Sequence, residues 1–325
     1  MSKTAIITGA GGFLGSHISE TLLKKGYNIV AVDNFCTGHR QNKEILESYD
    51  KHILFIEADV TAPWTWMSDV PEEWKTKLSH IFHFASPASP PLYQRLSIET
   101  IWVNTLGLER AILEADKYNA RVIFASTSEV YGDPDCTTQN EKYWGNVNSY
   151  GERSCYDEAK RLGESLIFSY NKRNRTKHGL VRIFNTYGPR MNPQDGRVII
   201  NFIVQALQGQ PLTVYGNGKQ TRSFCYVSDL VDGILKYADS DITQPMNLGN
   251  DREFTILQVA TIVQSAFPNK KIDIIFKDLP SDDPKKRRPD LSFAKNELPS
   301  WSPKVPLESG VEIMIDWIKQ IEHTL

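Results

Sequence analysis

The chain has 325 residues, 40% hydrophobic and 23% charged, with 37 lysines and arginines against 39 aspartates and glutamates. That is the make-up of a soluble globular protein long enough for about two domains, and it excludes a disordered or fibrous chain. A net charge of −2 leaves no global field for nucleic acid, and no apolar run approaches the roughly 18–20 residues that span a bilayer.

The basic run Lys285–Arg288 is short enough to be a solvated face. Cys36, Cys136, Cys155 and Cys225 are scattered, with no pair at metal-ligand spacing. We expect reduced thiols and no metal site. Met-Ser-Lys leads straight into an apolar run too short for a signal segment, so the expected location is cytoplasmic.

In chain order, short apolar runs alternate with helix-period segments. Strands are expected at Ala5–Gly9, Asn28–Asp33, His52–Ala58, His80–Ala85 and Arg121–Ser126. They are rich in Ile, Val and Phe with little polar alternation, as strands covered on both faces are. Helices are expected at Phe13–Lys25, Ile98–Tyr118 and Ser154–Asn174. Alternation of this kind predicts an α/β fold, a Rossmann-type doubly wound parallel sheet. Further on, strands are expected at Leu180–Phe184, Leu212–Tyr215, Met246–Leu248 and Lys271–Phe276. Helices are expected at Val198–Gln208, Val227–Tyr237, Ile256–Ala266 and Leu307–His323. The predicted division is a nucleotide-binding domain over residues 1–179, with chain returns near 180–190 and 224–248. A smaller α/β substrate domain covers mainly 190–325.

Gly9, Gly12 and Gly15 stand three apart, directly after the first strand and opening the first helix, with Phe13 and Leu14 between them. Glycine allows the sharp turn and lets backbone amides approach a pyrophosphate at the positive end of the helix. Asp33-Asn34 ends the second strand, where a carboxylate accepts hydrogen bonds from a ribose diol and repels a 2′-phosphate. The expected cofactor is therefore NAD rather than NADP, although Arg40 follows in the next loop. Asp59-Val60 closes the third strand, within reach of an adenine or as an ordinary cap.

Tyr156 and Lys160 are four residues apart, on one face of a helix. A nearby ammonium stabilises a phenolate and lets tyrosine take a proton from a hydroxyl. The spacing alone arises readily by chance; its position after the fifth strand gives it weight.

With the glycine motif, the Ser126-Thr127-Ser128 run and the Tyr-x-x-x-Lys pair, the chain resembles the extended short-chain dehydrogenase/reductase family over nearly its whole length. Its local motifs are similar to those of UDP-glucuronate decarboxylases. They are Ala85-Ser-Pro-Ala-Ser-Pro-Pro91, Thr127-Ser-Glu-Val-Tyr-Gly-Asp-Pro134, Arg153-Ser-Cys-Tyr-Asp-Glu-Ala-Lys-Arg161, Phe184-Asn-Thr-Tyr-Gly-Pro-Arg-Met191, Asp195-Gly-Arg-Val198, Gln220-Thr-Arg222 and Asp282–Asp290. The resemblance implies decarboxylation of UDP-glucuronate through a 4-keto sugar with NAD retained.

It also implies roles. Tyr156 is the acid/base, Lys160 tunes it, Thr127 orients the 4-hydroxyl, and Ser128 and Glu129 face carbons 5 and 6. Arg287 approaches the carboxylate, with Arg190 next in line. Asn185 and Arg222 hold the diphosphate-ribose part. Ala85 lies on the cofactor side, and Ser86 and Pro87 on the substrate side. The same fold carries 4-epimerases, 4,6-dehydratases and UDP-apiose/UDP-xylose synthases, which stay open as alternatives. Ser128 stands where a dehydratase would have an aspartate, and serine is a poor acid for an expelled hydroxyl.

Two features depart from the family pattern: Glu152 just before the catalytic helix, and a long connector, Ala62–Lys77, carrying Trp64, Trp66 and Trp74. A homodimer is expected through the helices near Ile98–Tyr118 and Ser154–Asn174, using Leu106, Ala111, Leu166 and Phe168.

Overall fold

The structure, a computed structural model, describes residues 2–278 and 286–322. Residues 282–285 of the charged motif and His323, the expected end of the last helix, lie outside the described residues. The first half of the chain forms strands β1 (Thr4–Thr8), β2 (Asn28–Asp33), β3 (Ile53–Glu57), β4 (Leu78–His83), β5 (Arg121–Thr127) and β6 (Gly179–Ile183). Its helices are α1 (Phe13–Lys24), α2 (Arg40–Glu47), α3 (Glu72–Lys75), α4 (Pro90–Arg95), α5 (Ser97–Asn104), α6 (Leu106–Lys117) and α7 (Ser154–Asn174).

The second half adds strands β7 (Thr186–Tyr187), β8 (Leu212–Tyr215), β9 (Thr221–Ser223), β10 (Cys225–Tyr226), β11 (Met246–Leu248), β12 (Glu253–Thr255), β13 (Ile274–Lys277) and β14 (Lys286–Arg287). Helices α8 (Val198–Leu207), α9 (Val227–Ala238), α10 (Ile256–Ser265), α11 (Ser292–Glu297) and α12 (Leu307–Glu322) complete it.

Seven strands form one sheet in the order β11-β6-β5-β4-β1-β2-β3. The pairs β1–β2, β1–β4, β2–β3 and β4–β5 run parallel. Every residue of β1 and β2 is buried, which is why these strands read as continuous apolar runs. The strand order reverses between β1 and β4. In such a sheet a ligand crevice opens there, outside the carboxyl ends of the strands.

The chain divides into two units. The first comprises Met1–Val130, Asn148–Arg182 and Val231–Met246; the second comprises Tyr131–Val147, Ile183–Leu230 and Asn247–Leu325. Residues 131–147, assigned from sequence to the first domain, thus group with the second unit. In that unit the loop carrying Gln139 is tied to the segment after β14. The Gln139 N–H donates to Arg288 O (2.9 Å), and the Asp290 N–H donates to Gln139 O (2.8 Å). A regular periodicity could not announce such a bridge.

The helix expected over Ile98–Tyr118 is two helices, broken at Thr105 (φ −116°, ψ −76°). Side chains compete with the backbone there: Asn104 Nδ2 donates to Thr100 O (2.8 Å) and Thr105 Oγ1 to Ile101 O (2.7 Å). Helix α2 has no counterpart in the sequence pattern, because it is charge-rich and buries only Asn42 and Leu46. Trp64, Trp66 and Trp74 all belong to the core beside β1, β4 and α6. The connector's aromatics are packing, with Trp64 and Trp66 ring centroids 4.8 Å apart.

Candidate active site

The turn after β1 is shaped by glycines that nothing larger can replace. Gly9 has φ +76°, and a Cβ on it would lie 2.7 Å from Ala85 N; a Cβ on Gly15 would lie 2.0 Å from Gly9 O. Gly12 stands at the N-cap of helix α1, which has no capping side chain and no acidic residue in its first turn. Its N-terminal amides and dipole suit a bound anion. Asp33, at the end of β2, is buried, and its carboxylate accepts from the N–H groups of Gly11 (2.8 Å) and Phe35 (2.7 Å). Burial raises its pKa, against the opposing effect of these backbone donors. Cradle, uncapped helix start and fixed carboxylate together fit a dinucleotide.

The neighbouring residues are placed as follows. Phe13 and Leu14 open α1, half-buried. Asn34 is exposed and closes its own turn, accepting from the Cys36 N–H. Asp59 is likewise exposed and accepts from the N–H and hydroxyl of Thr61 at 2.8 Å each, so it caps the loop after β3. The Val60 side chain belongs to the hydrophobic core.

The ends of β1 and β4 are locked together by Thr8. Its hydroxyl accepts from the N–H groups of Phe84 (3.2 Å) and Ala85 (3.3 Å) and lies 3.0 Å from His83 Nδ1. His83 Nε2 is 2.9 Å from Val103 O, so Nε2 carries the proton and Nδ1 accepts from Thr8. Burial pushes the His83 pKa down to about 4 and keeps the ring neutral. Ser86 and buried Pro87 follow, and Asn104 Nδ2 donates to Ser86 Oγ (2.9 Å).

The third part of the site joins the end of β5 to the start of α7. Tyr156 lies in the first turn of α7, where the helix dipole favours an anion. Lys160, one turn later, is buried, donates to Ala125 O (2.6 Å) and sits 5.5 Å from the Tyr156 ring centroid. Burial pushes its pKa down to about 7. Thr127 is nearly buried and its hydroxyl accepts from the Glu129 N–H (3.3 Å); Ser128 is 2% exposed. Glu129 forms an ion pair with Arg153, which also lies 3.9 Å from Asp157. Burial works against the Arg153 charge, but the Glu129 carboxylate, with Tyr93 and Asp157, more than offsets it and raises the pKa.

Ser126, the first of the Ser/Thr run, is directed elsewhere. It donates to Glu164 Oε1 (2.6 Å), and Glu164 takes two hydrogen bonds from Arg182 (2.9 and 2.7 Å). Tyr93, which no sequence motif marks, joins the cluster around Tyr156. Its ring stacks on Tyr156 with centroids 4.9 Å apart and planes 9° from parallel. It is 1% exposed and its hydroxyl has no hydrogen-bond partner among the described residues. The only signal was its position after Pro90-Pro91, which start α4. Glu152 is exposed.

The remaining predicted residues lie in the second unit. Arg287 is 2% exposed, and β14 pairs with β9 so that Arg287 stands in register with Arg222. This puts two of the predicted anion-binding arginines on adjacent strands. Asn185 directs its carbonyl to the Cys225 N–H (2.9 Å), and Arg190 adopts φ +67°.

Residues 5–249 match the model of the NAD dependent epimerase/dehydratase family. The chain belongs to this family. It is 44% identical to UDP-glucuronic acid decarboxylase 1 of Danio rerio over 322 residues, 99% of this chain and 74% of that protein. It is also 44% identical to UDP-glucuronic acid decarboxylase 4 of Arabidopsis thaliana over 317 residues, 97% of this chain and 68% of that one. Among solved structures it resembles UDP-glucuronic acid 4-epimerase of Bacillus cereus in complex with UDP-glucuronic acid and NAD. There the TM-score is 0.84 with 26% identity, covering 98% of this chain and 99% of that one. As a member of the NAD dependent epimerase/dehydratase family, the chain is an enzyme whose cofactor is NAD. Among the described residues no cluster is suited to a metal ion, and no helix is long and apolar enough to cross a membrane.

Proposed function

We propose that this enzyme decarboxylates UDP-glucuronate to UDP-xylose and carbon dioxide, with NAD retained through the cycle. The observation that carries this reading is 44% identity to a UDP-glucuronic acid decarboxylase across 99% of the chain. The paired Tyr156 and Lys160 and the arginines in register at Arg222 and Arg287 support it.

NAD, when bound, supplies the oxidant for carbon 4 and, once reduced, the reductant that resets it. Gly9, Gly12, Phe13, Leu14 and Gly15 hold its pyrophosphate region, Asp33 and Asn34 its ribose, and Asp59, Val60 and Ala85 border it. Tyr156 takes the proton of the 4-hydroxyl as carbon 4 is oxidised. The Lys160 ammonium and the α7 dipole stabilise the phenolate. Thr127 orients the hydroxyl.

The 4-ketone makes the carbon-6 carboxylate a β-keto acid. The bond between carbons 5 and 6 breaks, carbon dioxide leaves, and the electron pair stays as an enolate. Glu129 and Ser128, with Arg153 fixing Glu129, govern the proton that reaches carbon 5. Tyr156 then returns its proton to oxygen 4. Arg287 grips the carboxylate; Asn185, Arg190, Arg222, Ser86 and Pro87 hold the rest of the nucleotide sugar.

Incubation with UDP-glucuronate and NAD, followed by NMR, should show carbon dioxide release and UDP-xylose. UDP-apiose would identify the ring-contracting relative. UDP-galacturonate without carbon dioxide would instead identify a 4-epimerase, the activity named for the Bacillus cereus neighbour.

The enzyme acts in the cytoplasm, a reducing compartment consistent with its four free cysteines. It works as a homodimer pairing α5 and α7 of two copies. Ile98, Trp102 and Leu162 are each at least half exposed on these helices, and Ile98 and Leu162 flank a cleft between them. Phe168 is exposed as expected, whereas Ala111 is fully buried in its own core and Leu166 packs against it; Leu106 is half-buried. A strictly monomeric mass at micromolar concentration would overturn the dimer.

A further inference from the structure

At the carboxyl edge of the sheet, β2 and β3 end side by side, with Asp33 in register with Glu57. Asp33 is fixed by backbone donors and faces the cofactor turn. Glu57 takes both arms of Arg40: Nη1 to Oε2 at 3.0 Å and Nη2 to Oε1 at 2.8 Å. The guanidinium carbon also lies 4.5 Å from the centre of the Phe35 ring. That ring is itself set in place, because Phe35 adopts φ +56° and stacks on Phe55 with centroids 5.6 Å apart. The Phe35 N–H is one of the two that hold Asp33. One short chain of contacts therefore positions Asp33, Phe35, Arg40 and Glu57 together.

An arginine just after the second strand is what a 2′-phosphate requires of a dinucleotide site. Its planar fork binds a phosphate or a carboxylate two-handed, and the edge made by its two terminal nitrogens holds one such partner at a time. Here the fork is taken. We infer that Glu57 is a specificity-determining residue for the cofactor: by occupying Arg40 it withholds the cation that would receive a 2′-phosphate, and its own charge adds to that of Asp33. The Arg40 hydrogen bonds lower the Glu57 pKa, so Glu57 is ionised at neutral pH. Both side chains are largely exposed, and a surface pair of this kind contributes little to folding. Selectivity is then the main consequence of the pair. The inference depends on the NAD site and not on which nucleotide sugar is the substrate.

The test is competition of NADP and NAD against NADH, read by energy transfer from protein to nicotinamide fluorescence. Glu57→Gln should improve NADP affinity by about 3–10-fold while changing NAD by less than about twofold, with the gain shrinking as salt rises. Adding Arg40→Ala to Glu57→Gln should remove the gain. An unchanged NADP-to-NAD ratio in Glu57→Gln would overturn the inference. So would an equal loss of both nucleotides, or a gain that persists in the double variant.

Discussion

The end of β2 and the junction of β5 with α7 lie on the same sheet edge, yet their polar groups are treated differently. At β2 the demands are met locally. Asp33 has a backbone donor on each oxygen, Arg40 and Glu57 satisfy each other, and glycine removes every side chain that would crowd the turn. At the β5–α7 junction Glu129 and Arg153 pair, but two other groups are met less fully. Lys160 is a buried ammonium whose hydrogen bond goes to a neutral carbonyl, and the Tyr93 hydroxyl is buried with no partner among the described residues. Recognition of an invariant cofactor is served by a settled site. Proton transfer needs groups whose charge is easily changed, and an easily discharged lysine is one that the fold disfavours in its charged form.

Tyr156→Phe tests that division most severely. It removes the proposed proton acceptor but keeps the ring stacked against Tyr93, so turnover should fall by about 10²–10⁴. NAD affinity, read by fluorescence, should change little; a parallel loss of NAD binding would erase the distinction between the two ends. Glu129→Gln should slow carbon dioxide release by about 10²-fold, at the lower end of lost acid–base catalysis, again sparing NAD. If Glu129 only anchors Arg153, the pH–rate profile will keep its shape in this variant. Asp33→Ala should act in the opposite sense, narrowing the preference for NAD over NADP by roughly tenfold, the size of a charge-assisted hydrogen bond. A preference left intact would place cofactor selection elsewhere.

Legibility in the sequence followed the same line. The strands and the glycine turn could be read because buried parallel strands are unbroken apolar runs and tight turns need glycine. Asp33 could be read because it ends such a strand. The Tyr156–Lys160 spacing was visible, but its setting was not: Tyr93 comes from another helix, and neither its stacking nor the burial of Lys160 leaves a periodic trace. Ser126 shows the limit within a motif. Three adjacent hydroxyls look equivalent until the strand's alternation turns Ser126 toward Glu164 and Arg182. The break at Thr105 was hidden because Asn and Thr fit an amphipathic pattern while bonding back to the preceding turn. In the second unit, Arg287 and Arg222 come together only through pairing of two very short strands, β9 and β14.

Lys160→Met puts the central claim to its most direct test, through the melting temperature of nucleotide-free protein measured against pH. The Lys160 pKa falls from an ordinary 10.5 to about 7 in the folded chain. Below pH 7 both folded and unfolded states hold the proton, and the cost of burying the charge is fully present. Between about 7 and 10.5 the unfolded chain binds a proton that the folded chain has shed, so the native protein gains stability as pH rises through that window. Methionine removes the charge and the pH dependence with it. Lys160→Met should be more stable than the native protein at pH 6, by about 1–3 kcal/mol after the lost hydrogen bond to Ala125 is deducted. The difference should shrink toward pH 9, with turnover lost throughout. A variant less stable than the native protein at pH 6, or a difference that does not change with pH, would contradict the central claim.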